Sequence, residues 1–217
     1  MTSPRVVVCR NEVDPAHAYH CDALAASIPD AVELDYAAGE RPDLRELDAV
    51  VLTGSTAGVY EADAYPWMHS QMALVETLVE HEIPTLAVCF GHQLVNEALG
   101  GRVEADETTA RLVEVEFADD PLFEGVAPVV PAVHGDKVVE PAAEMDVVAT
   151  TDYYDAFATR HRRAPLWSTQ FHPEFTAAHR DRLDADYGWS DGGYSFADVN
   201  AGRVYANFTR IVADGDY

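Results

Sequence analysis

Cys89 lies where an apolar strand pattern, Ile83-Pro84-Thr85-Leu86-Ala87-Val88, meets a helical one, His92-Gln93-Leu94-Val95-Asn96-Glu97-Ala98-Leu99, which stops at Gly100-Gly101. A cysteine at a sharp strand-to-helix turn is held out over the carboxyl edge of a parallel sheet, with the next backbone N–H, that of Phe90, free to bind an oxyanion. The start of the following helix also favours a negatively charged sulfur. Acyl chemistry at such a sulfur needs a base and an acid to orient it. Both residue types occur in Gln170-Phe171-His172-Pro173-Glu174-Phe175, which follows the β-rich run Pro165 to Phe171. Residues i and i+2 of an extended segment share a face, so Glu174 is expected to fix the tautomer of His172 while the other ring nitrogen faces Cys89.

These residues resemble the class I, triad-type glutamine amidotransferases. The family's elbow, usually Gly-x-Cys-x-Gly-x-Gln, reads here Ala87-Val88-Cys89-Phe90-Gly91-His92-Gln93, and its Phe-His-Pro-Glu signature is Phe171-His172-Pro173-Glu174. Leu52 to Glu61 looks like the family's glycine-rich oxyanion loop. His134-Gly135-Asp136-Lys137-Val138 is similar to a segment of the glutaminase part of GMP synthetases, and Ala206-Asn207-Phe208 matches the closing helix. The resemblance implies a Cys89, His172 and Glu174 triad, and oxyanion or substrate contacts at Gly54, Ser55, Phe90 and Gln93. It also implies a pocket or partner contact at His134 and Asp136. Two positions depart from the pattern. Ala87 stands where glycine is usual and adds a methyl at a tight turn, with a small shift of the elbow expected. Gly54-Ser55-Thr56 replaces the Gly-Gly-Pro of GMP synthetases, which weakens that particular assignment.

The elements that must position these residues read as one α/β domain spanning 1–217, with no linker-like composition shift. Strands are expected at Val6 to Val8, Val32 to Leu34, Ala49 to Leu52 and Thr85 to Val88, separated by helical segments near 15–28 and 67–81. That spacing describes a mostly parallel, doubly wound, flavodoxin-like three-layer sheet. Arg102 to Glu104, Leu112 to Phe117, Val126 to Val130, Val138-Val139 and Val147 to Ala149 read as separate strands of a small antiparallel extension. His134-Gly135-Asp136 reads locally as a turn between two of them. The chain then returns through Trp167 to Phe171, and Val204, Phe208, Ile211 and Val212 line one face of a last helix.

Other candidates carry less. Cys9 and Cys21 fit core packing, and three cysteines at unrelated spacings suggest neither a disulfide framework nor a metal site. His92 reads as structural or as a pocket wall, and the nine histidines include no metal-ligand spacing. Ser190 to Ser195 reads as a turn, not a phosphate loop, and Thr176 to Asp198 is long enough to shape the pocket. No cofactor is called for. Arg160, Arg162 and Arg163 read as a solvated loop balancing nearby acids, with an anionic ligand or an acidic partner patch as the alternative.

The formal charge of −24, from 38 acidic and 14 basic residues of which only Lys137 is lysine, fits a protein that works in molar salt, where acid–acid repulsion is screened. It argues against nucleic acid or an anionic membrane as partner. Met1 to Val8 runs straight into a strand without a secretory signal pattern, and no stretch of 18 apolar residues occurs, so the expected location is cytoplasmic. Three functions remain open. One is a glutaminase subunit feeding ammonia from glutamine to a separate synthase, GMP synthesis being the nearest candidate. Another is a free-standing hydrolase or peptidase of γ-glutamyl compounds. The third is a catalytically silent binding protein.

Overall fold

Val6, Val8, Ala49, Val51, Leu86 and Val88 pack into one apolar cluster while Val7, Cys9, Val50, Leu52 and Ala87 pack into another, because successive strand residues point to opposite faces. Strands apolar on both faces belong in the middle of a parallel sheet. In the computed structural model, which describes residues 4–215 and 217, these runs are β1 (Val6–Arg10), β3 (Ala49–Leu52) and β4 (Thr85–Val88). Met1, Thr2 and Ser3, the expected lead into β1, lie outside the described residues.

The main sheet also contains β2 (Val32–Asp35), β6 (Glu116–Phe117), β8 (Met145–Thr150), β9 (Ala158–His161) and β10 (Leu166–Thr169), in the order β2-β1-β3-β4-β10-β9-β8-β6. The first five are parallel and the last three antiparallel. Helices α1 (Tyr19–Ala26) and α5 (Arg203–Asp214) contribute Leu24, Val204, Phe208 and Ile211 to one cluster. Helices α2 (Trp67–Glu80) and α3 (Phe90–Ala98) contribute Met68, Val75, Leu78 and Leu94 to the other. The result is the expected mostly parallel three-layer α/β fold. Among the described residues no helix is long and apolar enough to cross a membrane.

The antiparallel part differs from the expectation. The short strands read at 102–104 and 112–117, and at 126–130 and 138–139, are largely merged into two long ones, β5 (Arg102–Glu114) and β7 (Val129–Glu140), paired as a separate ribbon. His134-Gly135-Asp136 is therefore not a turn but the middle of β7, opposite an irregularity between Ala105 and Thr109 of β5. Polar Asp106-Glu107 has weak strand propensity, and the cross-strand partner supplies the backbone bonds that a local reading assigns to turns. The inner side of the ribbon, Leu112, Val129 and Val133, packs on Phe175, Trp189 and Leu183 of α4 (Arg180–Tyr187), a helix inside the 176–198 segment. Helix α1 is shorter than expected, because residues 15–18 form turns before it. Gly192 and Gly193 both have positive φ, as a turn at 190–195 requires.

The basic cluster is not a loop either. Arg160 and His161 lie in β9; Arg160 bonds Asp120 at 3.0 Å and lies over the Trp167 ring. Arg162 bonds Asp146 at 2.8 Å and Arg163 bonds Glu144. The expected balancing of acids is therefore met, partly from a strand.

Candidate active site

β4 ends at Val88, and Cys89 turns the chain with φ 54° and ψ −107°, a positive φ that non-glycine residues adopt only under constraint from their surroundings. Three contacts impose it. Cys89 N–H donates to Thr169 O at 2.8 Å across to β10, Cys89 O accepts from Gln93 N at 3.1 Å, and α3 is pressed onto β3. A side chain at Gly91 would stand 2.7 Å from Leu52 O and 3.3 Å from the Ala87 methyl, so the helix packs this closely only with glycine there. Ala87 is accommodated at full burial.

His172 does not sit on an extended strand. β10 stops at Thr169, and His172-Pro173-Glu174 enters a turn closed by Phe175 N–H donating to His172 O at 3.3 Å. The anticipated contact exists all the same, for a different reason: the turn folds Glu174 Oε1 to 2.7 Å from His172 Nδ1. His172 Nε2 donates to Val133 O of the ribbon at 3.2 Å, and the Cys89 thiol reaches the same oxygen at 3.5 Å. Sulfur and imidazole thus converge on one carbonyl. Both nitrogens of His172 face acceptors, an arrangement satisfied by imidazolium. Burial opposes that charge, but Cys89 and Glu174 outweigh it and hold the imidazole well above its usual range. Burial likewise pushes the Glu174 carboxyl up, while His172 and Tyr205 prevail and hold it below the usual range. Tyr205 of α5 donates to the second carboxylate oxygen, Oε2, at 2.7 Å, and Phe175 stacks on the imidazole at 4.6 Å.

The sulfur opens into a cleft of about 670 Å³ whose lining includes Ser55, Cys89, Gln93, His134, Asp136 and His172. Gly54 packs directly behind them: a Cβ there would meet His20, His172 and Cys89 at 3.3, 3.4 and 3.5 Å. The Phe90 ring leaves the cleft for the core beside Trp67, and only its backbone remains at the elbow. Among the described residues, the Gly54, Ser55 and Phe90 N–H groups donate to no protein acceptor, so they remain available to an anion at the sulfur. Gln93 is buried and donates to Asp136 O at 3.3 Å and Gln170 Oε1 at 3.2 Å. Asp136 accepts from Tyr60 Oη at 3.1 Å, and burial with nearby Glu61 raises its carboxyl above the ordinary value despite that bond.

Two more histidines, His134 at the cleft and His92 behind it, have both ring nitrogens bonded within the protein. His134 donates to Asp136 O at 3.2 Å, accepts from Tyr153 Oη at 3.0 Å, and is pushed down to about 4, chiefly by burial. His92 bonds Ser168 Oγ and Tyr154 Oη and is pushed down to about 3 by burial. Both are neutral near pH 7. Cys9 is buried in the core, with its thiol pushed up to about 12. Among the described residues no group of three His, Cys, Asp or Glu side chains is placed to hold a metal ion.

The sequence reading missed Tyr205, Tyr60, Phe175 and, most notably, Glu12 and His20. Glu12 follows β1 at the same carboxyl edge as Cys89, and only the rule that ligands gather beyond those strand ends pointed to it.

Fold and site together define the class. The glutamine amidotransferase class-I family profile matches residues 25–183, and the chain belongs to that family. Within it, the chain is 36% identical over 138 residues to GMP synthase of Thermotoga sp., 62% of this chain and 26% of that protein. To one of the subunits of the glutamine-hydrolysing GMP synthase of Methanothermobacter thermautotrophicus it is 39% identical over 104 residues, 46% of this chain and 56% of that polypeptide. The match thus spans between a quarter and just over half of the length of these curated relatives. A glutamine amidotransferase crystal structure from Thermotoga maritima superimposes with a TM-score of 0.71 at 22% identity, covering 99% of this chain and 98% of that one. A second, from Methylobacillus flagellatus, gives 0.71 at 16% identity, covering 99% and 96%. At these identities the structures speak for the fold.

Proposed function

We propose that the chain, acting as one domain over 1–217, is a glutaminase that hydrolyses the glutamine side-chain amide and supplies ammonia to a separate synthase, with GMP synthesis the nearest candidate. The observation that carries the reading is the convergence of the Cys89 sulfur and the Glu174-bonded His172 on Val133 O beside unengaged N–H groups. In this reading the ring already holds the proton taken from the sulfur, as the His172 imidazolium beside Glu174, and the sulfur attacks the amide carbon. The oxyanion takes bonds from Phe90 N–H and from the Gly54-Ser55 backbone. As the tetrahedral species collapses, the C–N bond breaks and His172 protonates the leaving nitrogen, releasing ammonia. Water, deprotonated by His172, then cleaves the γ-glutamyl thioester, releasing glutamate and returning the sulfur beside the reprotonated ring. Glu174 holds the ring throughout, Gln93 positions the substrate, and Asp136, beside Tyr60, faces its ammonium.

A second reading is supported by the size of the cleft. About 670 Å³ lies in the roughly 300–1,000 Å³ range of pockets that enclose drug-sized ligands, which is roomier than free glutamine needs and suits a larger γ-glutamyl compound. One experiment separates the two. Protein in molar KCl is given glutamine or a panel of γ-glutamyl amides, with and without a candidate synthase, and ammonia or amine release is measured. Synthase-stimulated ammonia release supports the first reading, and partner-independent turnover of the larger amides supports the second. The same preparation tests the charge reading: with a formal net charge of −24, the melting temperature is expected to rise between dilute buffer and molar KCl as repulsion is screened.

A further inference from the structure

Beyond the triad, a second buried acid–imidazole pair stands at the cleft. Glu12 and His20 side chains are 3% and 7% exposed, and Glu12 Oε2 lies 2.8 Å from His20 Nε2. The other contacts of this carboxylate go to loops. Oε1 accepts from Val13 N and Asp14 N, both at 2.8 Å, and from Thr56 Oγ1, while Oε2 also accepts from Thr56 N at 3.0 Å. Two of these bonds reach 44 residues along the chain to the segment after β3 that carries Gly54 and Ser55. Three further bonds, from Cys21 and Asn11 to Thr53, extend the tie. The Cys21 thiol donates to Thr53 Oγ1 at 3.3 Å, Asn11 N–H donates to the same hydroxyl at 2.9 Å, and Asn11 Nδ2 donates to Thr53 O at 3.2 Å. On its other side the His20 ring packs against Gly54, edge-on to the His172 ring with centroids 6.1 Å apart.

A buried ion pair adds little net stability, because desolvation of both charges offsets their attraction. Fold stability is therefore a poor explanation for placing one at a cleft edge. Its geometry offers a better one. Oxyanion donors act only if they are fixed in advance, within about 2.7–3.1 Å of where the charge develops. The Gly54-Ser55-Thr56 segment belongs to no helix or strand that would fix it. Glu12 holds its far end at Thr56, and His20 and His172 hold Gly54 between them.

We propose that Glu12 and His20 are positioning residues for hydrolysis: together they brace the 54–56 loop so that its free N–H groups are aimed at the oxyanion formed at Cys89. The inference rests on the proposed hydrolase reading for its effect on turnover. The brace itself is independent of that reading. The charge states suit the role. Burial opposes both charges, yet the Cys21 and Glu12 bonds raise His20 to about 9, and the His20 and Thr56 bonds hold Glu12 below the ordinary carboxylate range.

The test compares wild type with Glu12→Gln, which keeps shape but loses the charge, and with Thr56→Val, which removes one hydroxyl bond and leaves the buried pair intact. Steady-state hydrolysis, alkylation of Cys89 by iodoacetamide and amide hydrogen exchange of the 53–58 peptide are measured on each. Because the donors act on charge that develops only in the transition state, kcat is expected to fall about 10- to 100-fold in Glu12→Gln and several-fold in Thr56→Val, with KM within about twofold. Alkylation, which forms no oxyanion, is expected to keep its rate, and the 53–58 amides to exchange faster. Unchanged kcat in a folded variant, or equal losses of alkylation and hydrolysis, overturns the proposal. A wild type inert toward every γ-glutamyl compound refutes the hydrolase reading instead. Exchange in Thr56→Val then decides the brace: faster 53–58 amides support it and unchanged ones overturn it.

Discussion

His172–Glu174 and His20–Glu12 are both buried imidazole–carboxylate pairs, bonded at 2.7 and 2.8 Å, with their rings 6.1 Å apart across Gly54. They differ in where the second nitrogen points. In His172 it meets Val133 O beside the Cys89 sulfur at the cleft; in His20 it faces the Cys21 sulfur, 3.6 Å away and fully buried. In the proposed reading the same chemical pair serves once as a proton carrier and once as a strut, and access of the second nitrogen to the Cys89 sulfur makes the difference. The carboxylates differ as well. Glu174 has one partner outside its turn, Tyr205, whereas Glu12 gathers bonds from two separate loops.

The sharpest way to break this contrast is at the sulfurs. Cys89→Ala is expected to lower hydrolysis at least about 1,000-fold with the fold retained by circular dichroism, and Cys21→Ala to leave most activity in place. A loss of less than about tenfold for Cys89→Ala removes it as nucleophile. Next come the acids. Glu174→Gln should cost on the order of 1,000-fold in kcat, because it disturbs the tautomer and removes the counter-charge of the proton carrier, well above the loss expected at Glu12. Equal losses at the two carboxylates would erase the distinction between carrier and strut.

Smaller effects sharpen the comparison. Tyr205→Phe leaves Glu174 Oε2 without its 2.7 Å donor, and kcat should fall up to about tenfold with a lower melting temperature. The smallest effect is read in the pH dependence of stability. His20 rises from an ordinary 6.5 to about 9, so its contribution is fully present below about 6.5 and is lost as pH rises through about 9. Wild type should therefore lose more melting temperature across that window than His20→Gln, with His172, raised in both proteins, as the common background.

Sequence patterns located β1, β3 and β4 well, because strands buried on both faces are apolar throughout. They also located the elbow, because Gly91 is demanded by a 2.7 Å approach to backbone. The β5–β7 ribbon was not legible. Its pairing joins residues as far apart as Arg102 and Glu140, and Asp106-Glu107 carries no strand signal of its own. His172 and Glu174 were paired correctly on a mistaken local geometry, since a turn and an extended strand can both bring residues i and i+2 together.

By itself the amino-acid order determined the chemistry on offer: a cysteine at a strand-to-helix junction, a histidine with a glutamate two residues on, an apolar parallel core and a strongly acidic exterior. These are local matters of periodicity, glycine placement and charge. Only the tertiary structure decided that Val133 O gathers sulfur and imidazole, that Tyr205 backs Glu174, and that Glu12 reaches Thr56 to hold the loop. Each of those contacts joins segments at least 31 residues apart, and such contacts exist only once the sheet order has brought distant strand ends to a common edge.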